Sequence, residues 1–173
     1  MDDLRDIIRD IPDFPKKGVM FKDITTLLKD KHSFRRAIDL FYKHYKDKHI
    51  DVVVSVESRG FIFGSVLAYK LNAGFVPVRK PGKLPHHTIS ESYELEYGVD
   101  ILEIHSDSLH KGQNVLVIDD LLATGGTLEA VISIVSKLEA NIVGIGFLIE
   151  LLFLNGRERL KDFDVFSIIQ YDN

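Results

Sequence analysis

The run Val115-Leu116-Val117-Ile118-Asp119-Asp120-Leu121-Leu122-Ala123-Thr124-Gly125-Gly126-Thr127 constrains this chain more than any other segment. Its apolar, β-branched beginning suits a strand buried in a sheet, and its Gly/Thr end suits the turn that opens a helix. Asp119 and Asp120 are expected where that strand ends. Paired carboxylates there suit the vicinal hydroxyls of a ribose. Free backbone N–H groups at a helix N-terminus, with the hydroxyls of Thr124 and Thr127, suit a phosphate. Gly125 and Gly126 let the backbone close on that phosphate with no Cβ in the way. An Asx turn followed by a flexible glycine linker explains either half of the string, but not both. The residue types therefore predict a sugar-phosphate site.

The order of the parts excludes commoner phosphate loops. No Gly-Lys-Ser/Thr supplies the lysine that reaches a nucleoside triphosphate, and no Gly-x-Gly-x-x-Gly opens a dinucleotide site.

Around this run the chain alternates strand and helix. Leu4, Ile7, Ile8 and Ile11 recur at helical spacing, which predicts a helix over residues 2–11 ended by Pro12. Phe34, Ile38, Phe41, Tyr42 and Tyr45 predict a second helix, capped by Ser33. Val52–Val56 reads as a buried strand, followed by a helix over residues 61–71 and a strand over 75–78. Residues 90–97 and 99–105 alternate as a hairpin about Gly98. Beyond the signature come a helix over residues 127–138, a strand over 142–149, a short helix near 157–160 and a last strand over 165–170. This alternation predicts an α/β fold, a mostly parallel sheet with helices on both faces, whose strand-to-helix loops share one edge.

Glu57-Ser58-Arg59-Gly60 falls on that edge, and the Arg59 fork can bind two phosphate oxygens at once. An ordinary helix start with Arg59 in a surface ion pair also accommodates those residues. Residues 79–97, polar and with Arg79, Lys80 and Lys83 near their start, read either as a lid or as a solvated basic loop. His86-His87 is a poor metal pair, because neighbouring side chains in an extended loop point apart.

The signature resembles the phosphoribosyl-pyrophosphate motif of the type I phosphoribosyltransferases, in the form carried by their adenine-specific branch. Pro12-Asp13-Phe14-Pro15 through Phe21-Lys22-Asp23-Ile24, Glu57-Ser58-Arg59-Gly60-Phe61, Arg79-Lys80 with Gly82-Lys83-Leu84-Pro85, and Leu95-Glu96-Tyr97-Gly98 follow in that family's order. The resemblance covers nearly the whole chain. It implies transfer of a phosphoribosyl group from phosphoribosyl pyrophosphate to adenine, giving AMP and pyrophosphate.

The same resemblance implies site roles. Asp119, Asp120 and residues Ala123, Thr124, Gly125, Gly126 and Thr127 would hold the ribose and its 5′-phosphate. Glu57, Ser58, Arg59, Arg79 and Lys83 would serve the pyrophosphate, across a strained Glu57-Ser58 peptide open to the cis form. Adenine would lie between Phe21 and Leu121, read by backbone groups around Met20 and Lys22; from residue type alone Phe21 could equally be core. Glu96 would handle the purine proton, with Arg59, Asp119 and Asp120 as its catalytic companions; as a bare residue it reads equally as a solvent-facing hairpin position. Magnesium is implied, carried mainly on phosphoribosyl pyrophosphate with no direct protein ligands. So are a hood from residues 1–30 and a homodimer in which Arg79 can reach the neighbouring site. Departures from the adenine pattern are mild: Glu57 for Asp, Thr26 for Pro, Lys22 for Arg.

Two other readings fit parts of this. A phosphoribosyltransferase for hypoxanthine, guanine or xanthine would be expected to carry a lysine after the signature, where Leu148-Ile149-Glu150 stands. A non-catalytic sensor of phosphoribosyl pyrophosphate would be expected to carry a DNA-binding domain. At 173 residues, 45% of them hydrophobic, the chain is expected to form one domain. A net charge of -4 argues against a nucleic-acid partner. With no cysteine, an acidic start and an apolar run over residues 142–154 interrupted by Glu150, a cytoplasmic, membrane-free protein is expected.

Overall fold

A computed structural model describes residues 4–95 and 98–172, which group into two compact units, Met1–Leu40 and Phe41–Asn173.

In the first unit, helix α1 (Leu4–Ile7) is followed by strand β1 (Arg9–Pro12), antiparallel to β2 (Met20–Asp23), and then by helix α2 (Thr25–Lys29). The helix expected over residues 2–11 therefore stops after α1. Pairing with β2 offers the backbone of residues 9–12 partners that a local apolar period cannot reveal. Asp23 fastens this unit. Its carboxylate accepts bonds from Thr25 N and Oγ1, both at 2.9 Å, and from Arg9 Nε at 3.0 Å. The backbone bond from Thr25, then the side-chain bond from Arg9, hold its carboxyl down at about 2. The Thr26 hydroxyl donates to the Ile7 carbonyl at 2.6 Å, a bond that proline could not make. Helix α3 (Lys31–Tyr45) is capped by Asp30 rather than by Ser33: its Oδ1 accepts from Ser33 N at 2.8 Å and Oγ at 2.6 Å.

The second unit is built on strands β3 (Val52–Val56), β4 (Gly74–Val78), β7 (Asn114–Leu122), β8 (Asn141–Leu151) and β9 (Val165–Tyr171). They pair in parallel in the order β4-β3-β7-β8-β9. Helix α4 is Arg59–Leu71 and helix α5 is Gly126–Lys137; β5 (Thr88–Leu95) and β6 (Gly98–His105) form a separate antiparallel pair.

Every residue of β3 is buried, as a strand covered on both faces must be. Val52, Val54 and Val56 pack with Leu128, Val131 and Ile134 of α5 and with Leu102 and Ile104 of β6. Ser55, on the opposite face, lies against Gly64 of α4. Each fully buried Val, Leu or Ile contributes roughly 1.5–3 kcal/mol, so a polar change at Val54 or Leu116 would remove one of the sheet's main supports.

From β3 the chain crosses to β4 on one side, while β7, β8 and β9 build outward on the other. The order thus reverses between β3 and β7. Loops leaving the C-terminal ends of strands at such a switch diverge and open a crevice.

Candidate active site

That crevice holds a cavity of about 440 Å³. From β3 and the start of α4 come Glu57, Ser58 and Arg59; from β7 and its loop come Asp119, Asp120, Leu121, Ala123 and Thr127. These residues, expected in one site from two distant segments, are brought together by the fold. Lys80 and Tyr93, which the sequence does not mark as ligand groups, also line the cavity. The only advance signals were the basic run for Lys80 and the β alternation for Tyr93.

Strand β7 continues to Leu122, so the two acids sit inside its last turn of pairing rather than beyond it. Asp119 Oδ1 accepts from Asp120 N at 2.8 Å, and Asp120 Oδ2 lies 2.8 Å from Arg59 Nε. Close approach of α4 makes this possible. A Cβ on Gly60 would stand 2.8 Å from Asp119 Oδ1 and 3.1 Å from the Ile118 carbonyl oxygen. Burial, then the neighbouring charge of Asp120, push Asp119 well above the usual carboxylate range. Burial also raises Asp120, against the pull of Arg59.

The cations around the crevice are each matched to an acid. Arg59 meets Asp120, and Lys80 meets Asp100, which also accepts from Tyr93 Oη at 3.1 Å. Glu57 accepts from Arg79 Nε at 2.7 Å and from Lys83 Nζ. Burial opposes the ionisation of Glu57, but the bonds from Lys83 and Arg79 outweigh it and lower its carboxyl. The peptide between Glu57 and Ser58 is cis, the form that the family resemblance leaves open.

Residues 123–127 link the end of β7 to the first turn of α5 and turn on Gly125, whose φ of +86° favours glycine. A side chain there meets a second obstacle, because a Cβ would lie 2.9 Å from the Gly156 carbonyl oxygen. Thr124 is exposed and Gly126 is buried. The loop thus opens α5 with backbone N–H groups, an arrangement able to bind an anion.

Of residues 79–97, the described part is irregular only as far as residue 87, since β5 pairs with β6 from Thr88↔His105 to Leu95↔Gly98. Arg79 exchanges backbone bonds with Glu103 at 2.9 and 2.7 Å. The rings of His86 and His87 lie 4.9 Å apart rather than diverging, because the backbone bends there instead of extending. Among the described residues, no group of three or more acids, histidines or cysteines is arranged to hold a metal ion.

The proposed base-reading residues of the first unit lie on β2. Met20 is exposed, Phe21 meets Phe14 edge to face at 5.0 Å, and Lys22 Nζ lies 2.7 Å from Asp10 Oδ1. Glu96 lies outside the described residues.

Comparison with known proteins gives a consistent set of likenesses. Residues 23–173 match the model of the phosphoribosyl transferase domain. The adenine phosphoribosyltransferase of Geotalea uraniireducens is 59% identical over 171 residues, covering 99% of this chain and 100% of that one. A crystal structure of adenine phosphoribosyltransferase from Thermoanaerobacter pseudethanolicus superposes with a TM-score of 0.95 at 51% identity, over 97% of this chain and 98% of that one. The Saccharomyces cerevisiae enzyme, complexed with an imino-altritol bisphosphate and adenine, gives a TM-score of 0.90 at 40% identity, over 95% and 96% of the two chains.

Proposed function

The chain belongs to the phosphoribosyltransferase family, in its adenine phosphoribosyltransferase branch, and we propose that the crevice between β3 and β7 is where its reaction takes place. The enzyme converts adenine and phosphoribosyl pyrophosphate to AMP and pyrophosphate, reclaiming a free purine base as a nucleotide.

One observation carries the placement of the chemistry. Asp119 and Asp120 are buried, adjacent and raised in pKa, yet open on the same cavity as Arg59 and the glycine loop. Such costly acids are common at functional sites. In the proposed mechanism they hold the ribose hydroxyls and lower the cost of positive charge developing at C1. Backbone N–H groups of residues 123–127, with the hydroxyls of Thr124 and Thr127, hold the 5′-phosphate. Arg59, Arg79 and Lys83, with Ser58 and Glu57 beside them, receive the departing pyrophosphate. For the base the proposal takes Leu121 from the cavity wall and Phe21, with Met20 and Lys22, from β2. Glu96 manages the purine proton, and the irregular stretch up to residue 87 closes over the bound substrates.

Magnesium belongs to this proposal as a companion of the substrate. Glu57 is matched to Arg79 and Lys83 and Asp120 to Arg59, so the acids present suit an ion that arrives with its own phosphate oxygens. When bound, it neutralises charge on the pyrophosphate as the C1–O bond breaks.

A homodimer is also proposed. Ile62, Val66 and Tyr69 repeat at helical spacing along α4 as exposed apolar groups, Tyr69 at 89%, a pattern that suits burial against a second copy. The remaining partners are adenine, phosphoribosyl pyrophosphate and AMP in the cytoplasm. The charge of -4 disfavours nucleic acid, and no described helix is long and apolar enough to cross a membrane.

The test supplies phosphoribosyl pyrophosphate and magnesium with adenine, hypoxanthine, guanine or xanthine, and resolves the nucleotides formed. AMP should form far faster than the others, and chelation of magnesium should abolish turnover. Comparable formation of IMP or GMP would overturn the base assignment; full activity with chelator would overturn the role of magnesium.

A further inference from the structure

Glu150, near the end of β8, is 2% exposed and has no part in the mechanism above. It accepts bonds from Arg157 Nε at 2.8 Å and from Arg157 Nη2, from Ser167 Oγ at 2.7 Å and from Gln170 Nε2 at 3.2 Å. Arg157 also donates Nη1 to the Val165 carbonyl at 2.9 Å. A buried carboxylate persists only with such donors, and here they come from β9 and from the 3-10 turn Gly156–Leu160. The acid therefore ties that turn to the sheet, and the buried side chain of Leu160 anchors its far end.

The near end of the turn lies against the glycine loop. A Cβ on Gly156 would stand 2.1 Å from the Ala123 carbonyl oxygen and 3.1 Å from Gly125 N. Backbone rests on backbone, with no room for a side chain between. Arg159, whose Cδ would lie 3.2 Å from a Cβ on Gly125, reaches Glu129 of α5 with Nη1 at 2.5 Å. A loop with adjacent glycines has little stiffness of its own, so its order must come from what it rests on. Anion-binding donors work best when held in place beforehand.

We propose that Gly156 and the Glu150–Arg157 pair are positioning residues for the 5′-phosphate, because together they set the turn on which the loop of residues 123–127 rests. This depends on that loop being the phosphate cradle. Arg59 and Lys83, assigned to pyrophosphate, belong to α4 and to the stretch after β4, so the effect should be selective for one end of the substrate.

Calorimetric titration of ribose 5-phosphate, and separately of magnesium pyrophosphate, into the full-length parent, Gly156→Ala, Arg157→Lys and Thr127→Ala proteins tests this, with steady-state KM alongside. Gly156→Ala and Arg157→Lys should each weaken ribose 5-phosphate and raise KM for phosphoribosyl pyrophosphate by about tenfold, as a displacement of cradle atoms well under 1 Å can do. Pyrophosphate affinity and KM for adenine should stay within about twofold, a split that general damage to the fold would not produce. If Thr127→Ala weakens ribose 5-phosphate while Gly156→Ala and Arg157→Lys bind it as the parent does, the support role is overturned and the cradle stands. If Thr127→Ala also binds as the parent does, the cradle reading falls and takes this proposal with it. Equal loss of both ligands in Arg157→Lys would likewise overturn it. Should Gly156→Ala not fold, Arg157→Lys decides by the same comparison.

Discussion

Glu150 on β8 and the Asp119–Asp120 pair on β7 are buried carboxylates on adjacent strands, yet their ionisation is pushed in opposite directions. Glu150 is 2% exposed; burial opposes its charge, but the bonds from Arg157, Ser167 and Gln170 outweigh burial and lower its carboxyl. Asp119 and Asp120, at 9% and 6%, are almost as enclosed, and burial raises both. All three lie at the same end of the sheet, where Leu122 and Glu150 are register partners, and burial raises each of them. They differ in the donors set against it. Where the acid serves architecture, the chain supplies enough of them; where it faces the crevice, two negative groups share few. Acids in that costly state are common at functional sites, which is why the proposed function places the ribose there.

The largest expected effect lies at Asp120. Asp120→Asn should cut turnover by on the order of ten- to a thousandfold through lost electrostatic stabilisation. Its melting temperature should not fall, because the removed charge is one the fold disfavours. Steady-state rates equal to those of the parent would make Asp120 an architectural acid like Glu150, and the contrast would vanish.

Glu150→Gln should behave in the reverse sense. Loss of charge-assisted bonds at a buried site should lower unfolding stability by about 1–3 kcal/mol in denaturant titrations. The effect on kcat at saturating substrate should be much smaller than at Asp120. Unchanged stability would mean that the Arg157 network holds nothing together.

The smallest effect, and the one that most sharpens the comparison, is in the pH dependence of Asp119→Asn. Asp119 has a raised folded pKa, so its contribution to stability is complete below the ordinary value of 3.8 and is lost as pH rises through the folded value. Glu150 has a lowered one, so its contribution is present above the ordinary 4.5 and is lost as pH falls through the folded value. Asp119→Asn should therefore melt a few degrees above the parent at neutral pH, and the advantage should shrink as pH approaches about 4. The deficit of Glu150→Gln should also be greatest at neutral pH and shrink below about 4.5. Thermal melts from pH 4 to 8 would expose a wrong sign in either case.

Much of this molecule follows from neighbouring residues alone. The run of valines at residues 52–54 sits buried where its composition predicts, and the strand-acid-glycine string runs from a strand into a helix as its residue types require. Both signals are local: composition and period act over a few residues, and so does the demand for glycine at Gly125. Local period misleads at residues 9–12, where pairing with β2 replaces the expected helix, and at Ser33, which donates to the cap provided by Asp30.

Long-range partners account for the rest. Nothing near Gly156 in the chain announces that it rests on Ala123, and nothing near Glu150 announces bonds from β9. The identity of the acids was legible; which of them would be satisfied and which left costly was not. Donor distance, strand register and the closeness of two backbones depend on segments dozens of residues apart, and these meet only when the sheet closes. By itself the sequence determined most of the strands and helices and the residue types carried by the crevice loops. Tertiary structure decided which carboxylates are neutralised within the fold and which stay costly, because burial and hydrogen-bond supply are properties of the assembled chain.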